Sequence, residues 1–519
     1  MCADRVPPRN TAGTGGAPGE PIRAVSYPRR FPILPPAARA VTSATVAALI
    51  ISSVGAPTFP APLAAPSQAP AVQAGGILRQ TLGAGTRLIV AVRPGAQVVA
   101  LDLRVRGAGS AADTAGQSGA AHFVEHLTFR GAASDAPGAL DAAFEALGGE
   151  ASAHTSRDFV TYAVTVPKAN WKEALAQLVH LVRAPAFRPG DVEAERAVIL
   201  AEMALARGDT RRAGIGALAG AAFPEGDPYR LPLMGDARNV QSLTADDLRA
   251  FHAAHYLPAN ITLTIAGDVP PEEARKEAEA LFGASSGGSS AGAPSGRTET
   301  NGGGRDTAPS PAAADAGPLQ PVRSAPVETP GADLTTVHLA FRAPAAHETD
   351  AALTAEVIAA LLARNGDEGY VGSALASAGE AVRVHSEYLP LCRGGLLLLS
   401  ASGRGSAFDI EAALVSALVR LREDGVTEGE AAAARAARLG QAAADGERVE
   451  ALAARLGYLD ALGAAPDWQE TYATRLSAVG PAELTRAVRE WLVPARRVVA
   501  ITGPGGASLS GDARVAGGR

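Results

Sequence analysis

Two stretches of the chain repeat the same order of structural signals, and this repeat limits the possible folds more than any other feature of the sequence. In 243–267, a helical segment with a polar first turn precedes a Pro-Ala dipeptide, a run of β-branched and aliphatic residues, and a glycine. The same order recurs in 479–503. A repeated helix, turn and strand predicts two halves that fold alike.

One internal segment separates these halves. Residues 283–333 consist mainly of Gly, Ser, Ala, Pro and Thr with almost no apolar pattern, which predicts a flexible linker. The expected organisation is an N-terminal domain at 76–282, a C-terminal domain at 334–508 and a disordered tail at 509–519. A chain of 519 residues, 47% of them hydrophobic, is long enough for both domains to have a full core.

Residues 1–75 do not have the pattern of a domain. The first 26 residues are rich in Pro, Gly and Arg, and arginines then precede a short apolar run at 41–54. This order predicts a disordered leader followed by a secretory signal, and therefore a periplasmic or secreted protein. A disordered Ala/Pro tail is the alternative. The apolar run is too short for a comfortable membrane span, and we expect no span in the mature chain.

Charge and cysteine content exclude some functions. The formal net charge of −6 gives no reason to expect nucleic acid as a partner. The chain has two cysteines, Cys2 and Cys392, and Cys2 lies in the leader, so no internal disulfide is expected.

Local patterns predict most of the first half. Alternation predicts a hairpin at 77–92, a strand at 98–105 and further strands within 151–166, while helical periodicity predicts a long helix at 191–207. Three prolines between 207 and 244 predict a mobile stretch there before the next helix.

The pattern H-x-x-E-H, formed by His122, Glu125 and His126, carries the chemistry. Residues three and four apart lie on one face of a helix, so the three side chains would point to one spot. Two neutral imidazoles can hold a zinc ion, and a catalytic zinc also needs a third protein ligand and an open position for water. The glutamate suits a general base that takes a proton from the attacking water. This order of residues is a known zinc-hydrolase signature.

The same pattern can also arise by chance on an exposed helix face. The surrounding sequence favours zinc, because two of only nine histidines lie here. The apolar neighbours Phe123, Val124 and Leu127 predict that the helix is buried on one side. Buried histidines without a partner are costly.

Five stretches carry a more specific signal than H-x-x-E-H alone. They are 119–131 (GAAHFVEHLTFRG), 148–162 (GGEASAHTSRDFVTY), 193–202 (EAERAVILAE), 223–236 (FPEGDPYRLPLMGD) and 256–268 (YLPANITLTIAGD). With them, the sequence resembles the M16 metallopeptidases, the family of pitrilysin, insulysin and the mitochondrial processing peptidases, and especially its shorter bacterial members. The resemblance implies two α+β domains, each an antiparallel-rich sheet packed with helices, with zinc as cofactor.

The resemblance also implies the rest of the site. Glu202 corresponds to the third zinc ligand, since it follows the second histidine by 76 positions (202 − 126 = 76) as in the family. Glu195, two helical turns earlier, corresponds to a carboxylate that orients a ligating histidine. Either glutamate could instead be an ordinary solvated helix residue. Family members bind substrate as a strand added to a sheet edge, which here implies Ala151, Ser152 and Ala153. An ordinary edge strand is the alternative.

One departure from the family concerns the second half. Members that act alone usually carry an Arg and a Tyr seven positions apart, which stabilise the oxyanion. The alignment puts Ala376 and Arg383 at these positions, unless Arg383, His385 or Tyr388 substitutes.

Some bacterial relatives divide these roles between two subunits. The resemblance therefore implies the zinc-bearing subunit of a dimeric chamber, in a homodimer or in a heterodimer whose M16-like partner supplies Arg and Tyr. We expect a zinc-dependent endopeptidase that cleaves peptides or small unfolded proteins. The alternative is a non-catalytic or weakly active scaffold subunit.

Overall fold

The computed structural model describes residues 76–136, 138–283, 321–324, 326–363, 369–378 and 383–504. The predicted leader and the predicted tail lie outside the described residues, as do residues 284–320 and 325 of the predicted linker.

Within the described part of the first half, a sheet of six strands forms one layer. The strands are β1 (Ile77–Thr81), β2 (Arg87–Val92), β3 (Val98–Arg106), β4 (Ser152–Thr155), β5 (Phe159–Pro167) and β6 (Ile261–Gly267). Their order is β1-β2-β6-β3-β5-β4, so β4 is an edge strand. Neighbouring strands are antiparallel except for β2 and β6. Every residue of β6 is buried, because both faces of the sheet are covered.

Eight helices are described in the first half, and all but one of them join a core on one face of this sheet. They are α1 (Ala120–Thr128), α2 (Ala139–Ala146), α3 (Trp171–Arg183), α4 (Pro189–Ala206), α5 (Thr210–Ala222), α6 (Ala237–Ser242), α7 (Ala245–His255) and α8 (Pro271–Gly283). The core between sheet and helices joins Leu103 and Tyr162 of the strands to Phe123 of α1 and Leu178 of α3.

The described part of the second half has the same plan. Its strands are β7 (Val322–Arg323), β8 (Val327–Glu328), β9 (Thr335–Ala343), β10 (Arg383–Leu389), β11 (Gly395–Gly403) and β12 (Val498–Gly503). Their order is β10-β11-β9-β12-β7, and β8 also pairs with β12. Its helices are α9 (Thr349–Leu362), α10 (Tyr370–Ala378), α11 (Ala407–Asp424), α12 (Glu428–Gly446), α13 (Val449–Ala461), α14 (Trp468–Ala478) and α15 (Pro481–Trp491).

The structure confirms the predicted repeat. α7 leads through a 3-10 turn at Pro258–Asn260 into β6, and α15 leads through a 3-10 turn at Pro494–Arg496 into β12. β6 and β12 occupy equivalent places, since each lies beside the long antiparallel strand, β3 or β9, of its own sheet. The prediction of two similar α+β domains is therefore correct.

Each half also contributes one helix to the outer face of the other half's sheet. α13 lies across β3 and β6, while α5 lies across β9 and β12. Both contacts require a glycine. An added Cβ at Gly457 of α13 would lie 2.4 Å from Asp102 Oδ1, and one at Gly214 of α5 would lie 2.3 Å from His338 Nε2. The two halves thus belong to one compact unit.

The predicted mobile stretch between 207 and 244 is wrong, because it contains α5 and α6. The sequence of α5 is rich in Gly, which disfavours a helix in isolation. Two tertiary features outweigh this. The Asp209 side chain caps the helix by accepting from the N–H groups of Arg211 and Arg212, and the helix packs against β12.

The structure also differs from the expected linker at its C-terminal end. Residues 322–323 and 327–328 form β7 and β8, which pair in parallel with β12. Strands of two residues are too short to produce a readable alternation in the sequence.

Candidate active site

Helix α1 carries the H-x-x-E-H pattern, and its first turn is built from Gly119 and Asp113. Gly119 has φ 104°, and an added Cβ would lie 2.8 Å from Val240 Cγ2, so this position requires glycine. The buried Asp113 carboxylate accepts from the N–H of Gly119 at 2.7 Å and of Ala121 at 2.9 Å. Burial raises the pKa of Asp113 to about 7, although both donors act to lower it. Asp113 therefore satisfies backbone donors at the start of α1, a role that sequence reasoning missed.

The structure brings His122, His126 and Glu202 together. One ligand atom from each of the three lies within 4.8 Å of the other two, and among the described residues no second such group occurs. Glu202 Oε2 lies 3.7 Å from His122 Nε2 and 3.5 Å from His126 Nε2. The geometry follows from the packing of α4 against α1.

These atoms fit a tetrahedral metal ion. Zinc bonds of about 2.0–2.1 Å to nitrogen and oxygen place neighbouring ligand atoms about 3.3 Å apart. The two observed separations of 3.5 and 3.7 Å are close to that spacing and longer than a good hydrogen bond. Two imidazole nitrogens with one carboxylate oxygen are also a donor set that zinc prefers.

The electrostatics of the two histidines differ. Burial, together with the charge on His126, lowers the pKa of His122 to about 3. Burial also acts to lower the pKa of His126, but the hydrogen bond to Glu195 and the nearby Glu202 carboxylate outweigh it and raise that pKa to about 9. The carboxylates therefore favour a positive charge at this position, which is the charge that a metal ion would bring.

Glu195 holds one of these rings in place. Its Oε2 lies 2.8 Å from His126 Nδ1, which leaves Nε2 facing Glu202. Arg130 donates from Nε to Glu195 Oε1 at 2.7 Å, and its Nη2 contacts the same oxygen. Burial acts to raise the pKa of Glu195, but the bond to His126 and the charge of Arg130 lower it overall. Sequence reasoning identified Glu195 but not Arg130, whose partner lies 65 positions away.

Glu125 is buried and faces a threonine that sequence reasoning also missed. The Thr155 hydroxyl, at the end of β4, donates to Glu125 Oε2. Burial raises the pKa of Glu125, while the charge of His126 and the bond from Thr155 act against the rise. The only available signal for Thr155 was its place in the stretch 148–162.

Edge strand β4 lies beside this group. It pairs with β5 through Ala153 and Tyr162 and through Thr155 and Val160, and its other edge meets no described strand. Ser152 is exposed and Ala153 half-buried, whereas Ala151 precedes the strand and is buried. Two of the three predicted substrate residues therefore lie on the open edge, and Ala151 does not.

The structure describes both positions where the Arg and Tyr were expected. Ala376 is exposed on α10, and Arg383 is the exposed first residue of β10. The Tyr388 hydroxyl donates to the carbonyl oxygen of Pro344 at 2.8 Å. Tyr388 is thus engaged within its own half, and His385 lies 3.7 Å from Glu387.

Apolar helices long enough to cross a bilayer do not occur in the described part of the chain.

Two sequence profiles of known protein domains match successive parts of this chain. The profile of the insulinase peptidases, family M16, matches residues 87–236, and that of the M16 inactive domain matches 242–438. A probable mitochondrial-processing peptidase subunit beta from Arabidopsis thaliana is 33% identical over 34% of this chain and 33% of its own length. An uncharacterized zinc protease from Mycobacterium leprae is 30% identical over 39% of this chain and 45% of its own length. The match therefore spans less than half of either relative.

Several solved protein structures share this fold. A protease from Helicobacter pylori has a TM-score of 0.71 at 20% identity, covering 83% of this chain and 100% of that one. The first half of the periplasmic protease PqqL from Escherichia coli has a TM-score of 0.60 at 16% identity, covering 83% and 92%. At these identities the likeness shows the fold alone. Because two profiles of one family match successive parts of the chain and the two-domain fold agrees with them, the chain belongs to the M16 family of peptidases.

Proposed function

We propose that this protein is a zinc-dependent endopeptidase that cleaves peptides or small unfolded proteins. The observation that carries the proposal is the clustering of ligand atoms from His122, His126 and Glu202 within 4.8 Å, one turn away from the buried carboxylate of Glu125. The names of several relatives, which include zinc proteases, support the same reading.

His122, His126 and Glu202 would hold the zinc. Zinc at this place supplies a Lewis acid that polarises a carbonyl oxygen and makes an attacking water more acidic. Glu195 would accept a hydrogen bond from His126 Nδ1 when the metal is bound, which leaves Nε2 available to the metal, and Arg130 would keep Glu195 ionised.

Glu125 would act as the general base. Its carboxylate is buried and held by the Thr155 hydroxyl, so it is pre-oriented. Burial raises the pKa of Glu125, which makes it a stronger base than an exposed carboxylate. It takes a proton from the attacking water and can pass that proton to the amine that leaves.

The substrate would bind as an extended strand along the open edge of β4, beside Ser152 and Ala153. Backbone pairing of this kind supplies affinity with little demand on sequence. Ala151 would contribute by its backbone position rather than its buried side chain.

We further propose that the chain acts in a dimeric chamber, as a homodimer or with an M16-like partner that supplies Arg and Tyr. The support is that the methyl side chain of Ala376 cannot donate a hydrogen bond and that the Tyr388 hydroxyl already donates to Pro344. A weakly active or non-catalytic scaffold subunit is the second candidate.

The periplasmic protease PqqL among the structural relatives, together with the signal-like segment within 1–75, supports export of this protein. The proposed domain limits are 76–282 and 334–508, and β7 and β8 add residues before 334 to the second sheet.

The test is a pair of measurements on the purified protein. We expect about one zinc per chain in the wild-type protein. Glu125→Gln should retain that zinc, but its rate of peptide cleavage should fall on the order of 10²-fold or more, because an amide cannot accept the proton. Glu193→Gln, on the exposed face of α4, is the matched control. Unchanged zinc content in a His122→Ala, His126→Ala variant would contradict the ligand assignment, and near-normal turnover by Glu125→Gln would contradict the mechanism.

A further inference from the structure

The turn that follows edge strand β4 is held by Tyr229 and by the backbone of the second half through partly buried polar contacts. Asp158, in this turn, accepts a hydrogen bond from the Tyr229 hydroxyl and another from the backbone N–H of Cys392 at 3.3 Å. Burial raises the pKa of Asp158, and these donors act against the rise. We call Asp158, Tyr229, Asp227 and Arg393 the clasp.

Arg393 of the second half completes the clasp. Its guanidinium carbon lies 4.5 Å from the centre of the Tyr229 ring, and its Nη2 donates to Asp227 Oδ1 at 2.9 Å. The same Asp227 oxygen accepts from the Tyr229 N–H at 2.8 Å. Tyr229 is only 1% exposed, so its hydroxyl has no access to a competing layer of water. The second half therefore fixes the ring whose hydroxyl binds the turn.

Further hydrogen bonds of Arg157 also fix the turn. Arg157, which is 8% exposed, donates to the carbonyl oxygens of Tyr229 at 2.9 Å and Leu231 at 3.1 Å. The Ala111 N–H donates to the Arg157 carbonyl at 2.9 Å, and an added Cβ at Gly109 would lie 2.4 Å from that oxygen. With so many fixed contacts, the turn has little room to move on its own.

Thr155 connects this turn to the general base. It is the last residue of β4, directly before the turn, and its hydroxyl donates to Glu125 Oε2. The register of β4 is set at this end by the Ser156 N–H, which donates to the Phe159 carbonyl at 2.9 Å. A shift of the turn would therefore move the Thr155 hydroxyl relative to the Glu125 carboxylate.

We propose that the clasp is a positioning device by which the second half, which carries no H-x-x-E-H, sets the place of Thr155 and through it of Glu125. Tyr229, Asp158 and Thr155 are positioning residues here, because they act on the base rather than on the substrate. The effect on rate depends on the proposed peptidase function, whereas the effect on the mobility of β4 does not.

The experiment compares two buried tyrosines in the zinc-loaded full chain. Tyr229→Phe removes only the hydroxyl that binds Asp158. Tyr472→Phe is the matched control, since the Tyr472 hydroxyl donates to Glu356 at 2.8 Å and the residue is 3% exposed, within the second half. We expect Tyr229→Phe to speed amide hydrogen exchange of residues 152–156 and to lower kcat, each by about tenfold, with KM changed less than about threefold. Tyr472→Phe should change neither.

Thr155 variants test the route. Thr155→Val should lower kcat about as much as Tyr229→Phe without faster exchange, while Thr155→Ser retains the hydroxyl and should restore most of kcat. Because both changes act through one hydroxyl, the double variant should lose little more than Thr155→Val alone. Full multiplication of the two losses, or equal behaviour of Tyr229→Phe and Tyr472→Phe in exchange, would overturn the proposal. If neither the wild-type protein nor any variant cleaves peptides, the proposed peptidase function is wrong. The comparison of hydrogen exchange between Tyr229→Phe and Tyr472→Phe still shows whether the clasp holds β4 in place.

Discussion

Gly457→Ala should loosen the contact between α13 and the first sheet, because the added methyl group has no space. Its Cβ would lie 2.4 Å from Asp102 Oδ1, 3.0 Å from Arg104 Nε and 3.2 Å from Thr264 Oγ1. Asp102 and Arg104 are a buried ion pair, at 2.7 Å, and Arg104 also donates to the Ala454 carbonyl of α13 at 2.9 Å. The methyl group therefore overlaps with atoms that are held by one another.

The size of the effect follows from three contributions. Alanine is better than glycine in a helix interior by about 1 kcal/mol, which favours the variant. Overpacking of a filled site costs about 1–3 kcal/mol. Weakened hydrogen bonds between charged groups cost about 1.5–3 kcal/mol more. We expect a net loss of about 3 kcal/mol in the free energy of unfolding.

Urea denaturation followed by circular dichroism measures this loss. The matched control is Gly440→Ala on α12, where an added Cβ meets no atom within 4 Å. That variant should be as stable as the wild type or more stable by up to about 1 kcal/mol. A Gly457→Ala protein that equals the control in stability would refute the tight docking of α13 on the first sheet.

Three further outcomes are expected. Gly214→Ala should destabilise the protein by about 1–3 kcal/mol, because the added Cβ would lie 2.3 Å from His338 Nε2. Gly216→Ala on the same helix should not destabilise it, because its added Cβ would meet no atom within 4 Å. Equal denaturation midpoints for the two variants would contradict this prediction. Burial lowers the pKa of His338 to about 4, with the charges of Arg211 and His385 acting in the same direction, so the unfolded chain takes up a proton first as pH falls below about 6.5. Stability should then fall by up to about 1.4 kcal/mol per pH unit between pH 6.5 and 4, and His338→Gln should lack this part of the decline, as urea denaturation across that range would show. Finally, the chain alone should cleave a quenched fluorescent peptide poorly and gain roughly 10²–10³-fold from a partner that supplies the missing donors; full activity as a homodimer, with no gain from any partner, would defeat the shared site.

The candidate site was predictable in part. The H-x-x-E-H residues were found because their relation is local, and the family resemblance added Glu202 and Glu195, which the structure places beside them. Asp113 and Thr155 were missed. Thr155 contacts α1 from a strand that lies 30 positions away in sequence, whereas Asp113 lies in the loop just before α1. Neither a threonine in a strand nor an aspartate before a helix signals such a partner.

The fold shows the same division. The repeated order of helix, Pro-Ala turn and strand predicted two similar halves, and the structure contains them. α5 was missed, since a helix with so many glycines is stabilised mainly by its cap and by the sheet on which it lies.

The sequence by itself determined the secondary structure around the site, because helical spacing, strand alternation and turn residues act over a few positions. It also determined which side chains of α1 share a face. Only the tertiary structure decided that α4 brings Glu202 within 3.5 Å of His126, that Thr155 holds Glu125, and that each half covers the other's sheet. These features depend on contacts between residues tens to hundreds of positions apart, and such contacts leave no local pattern in the chain.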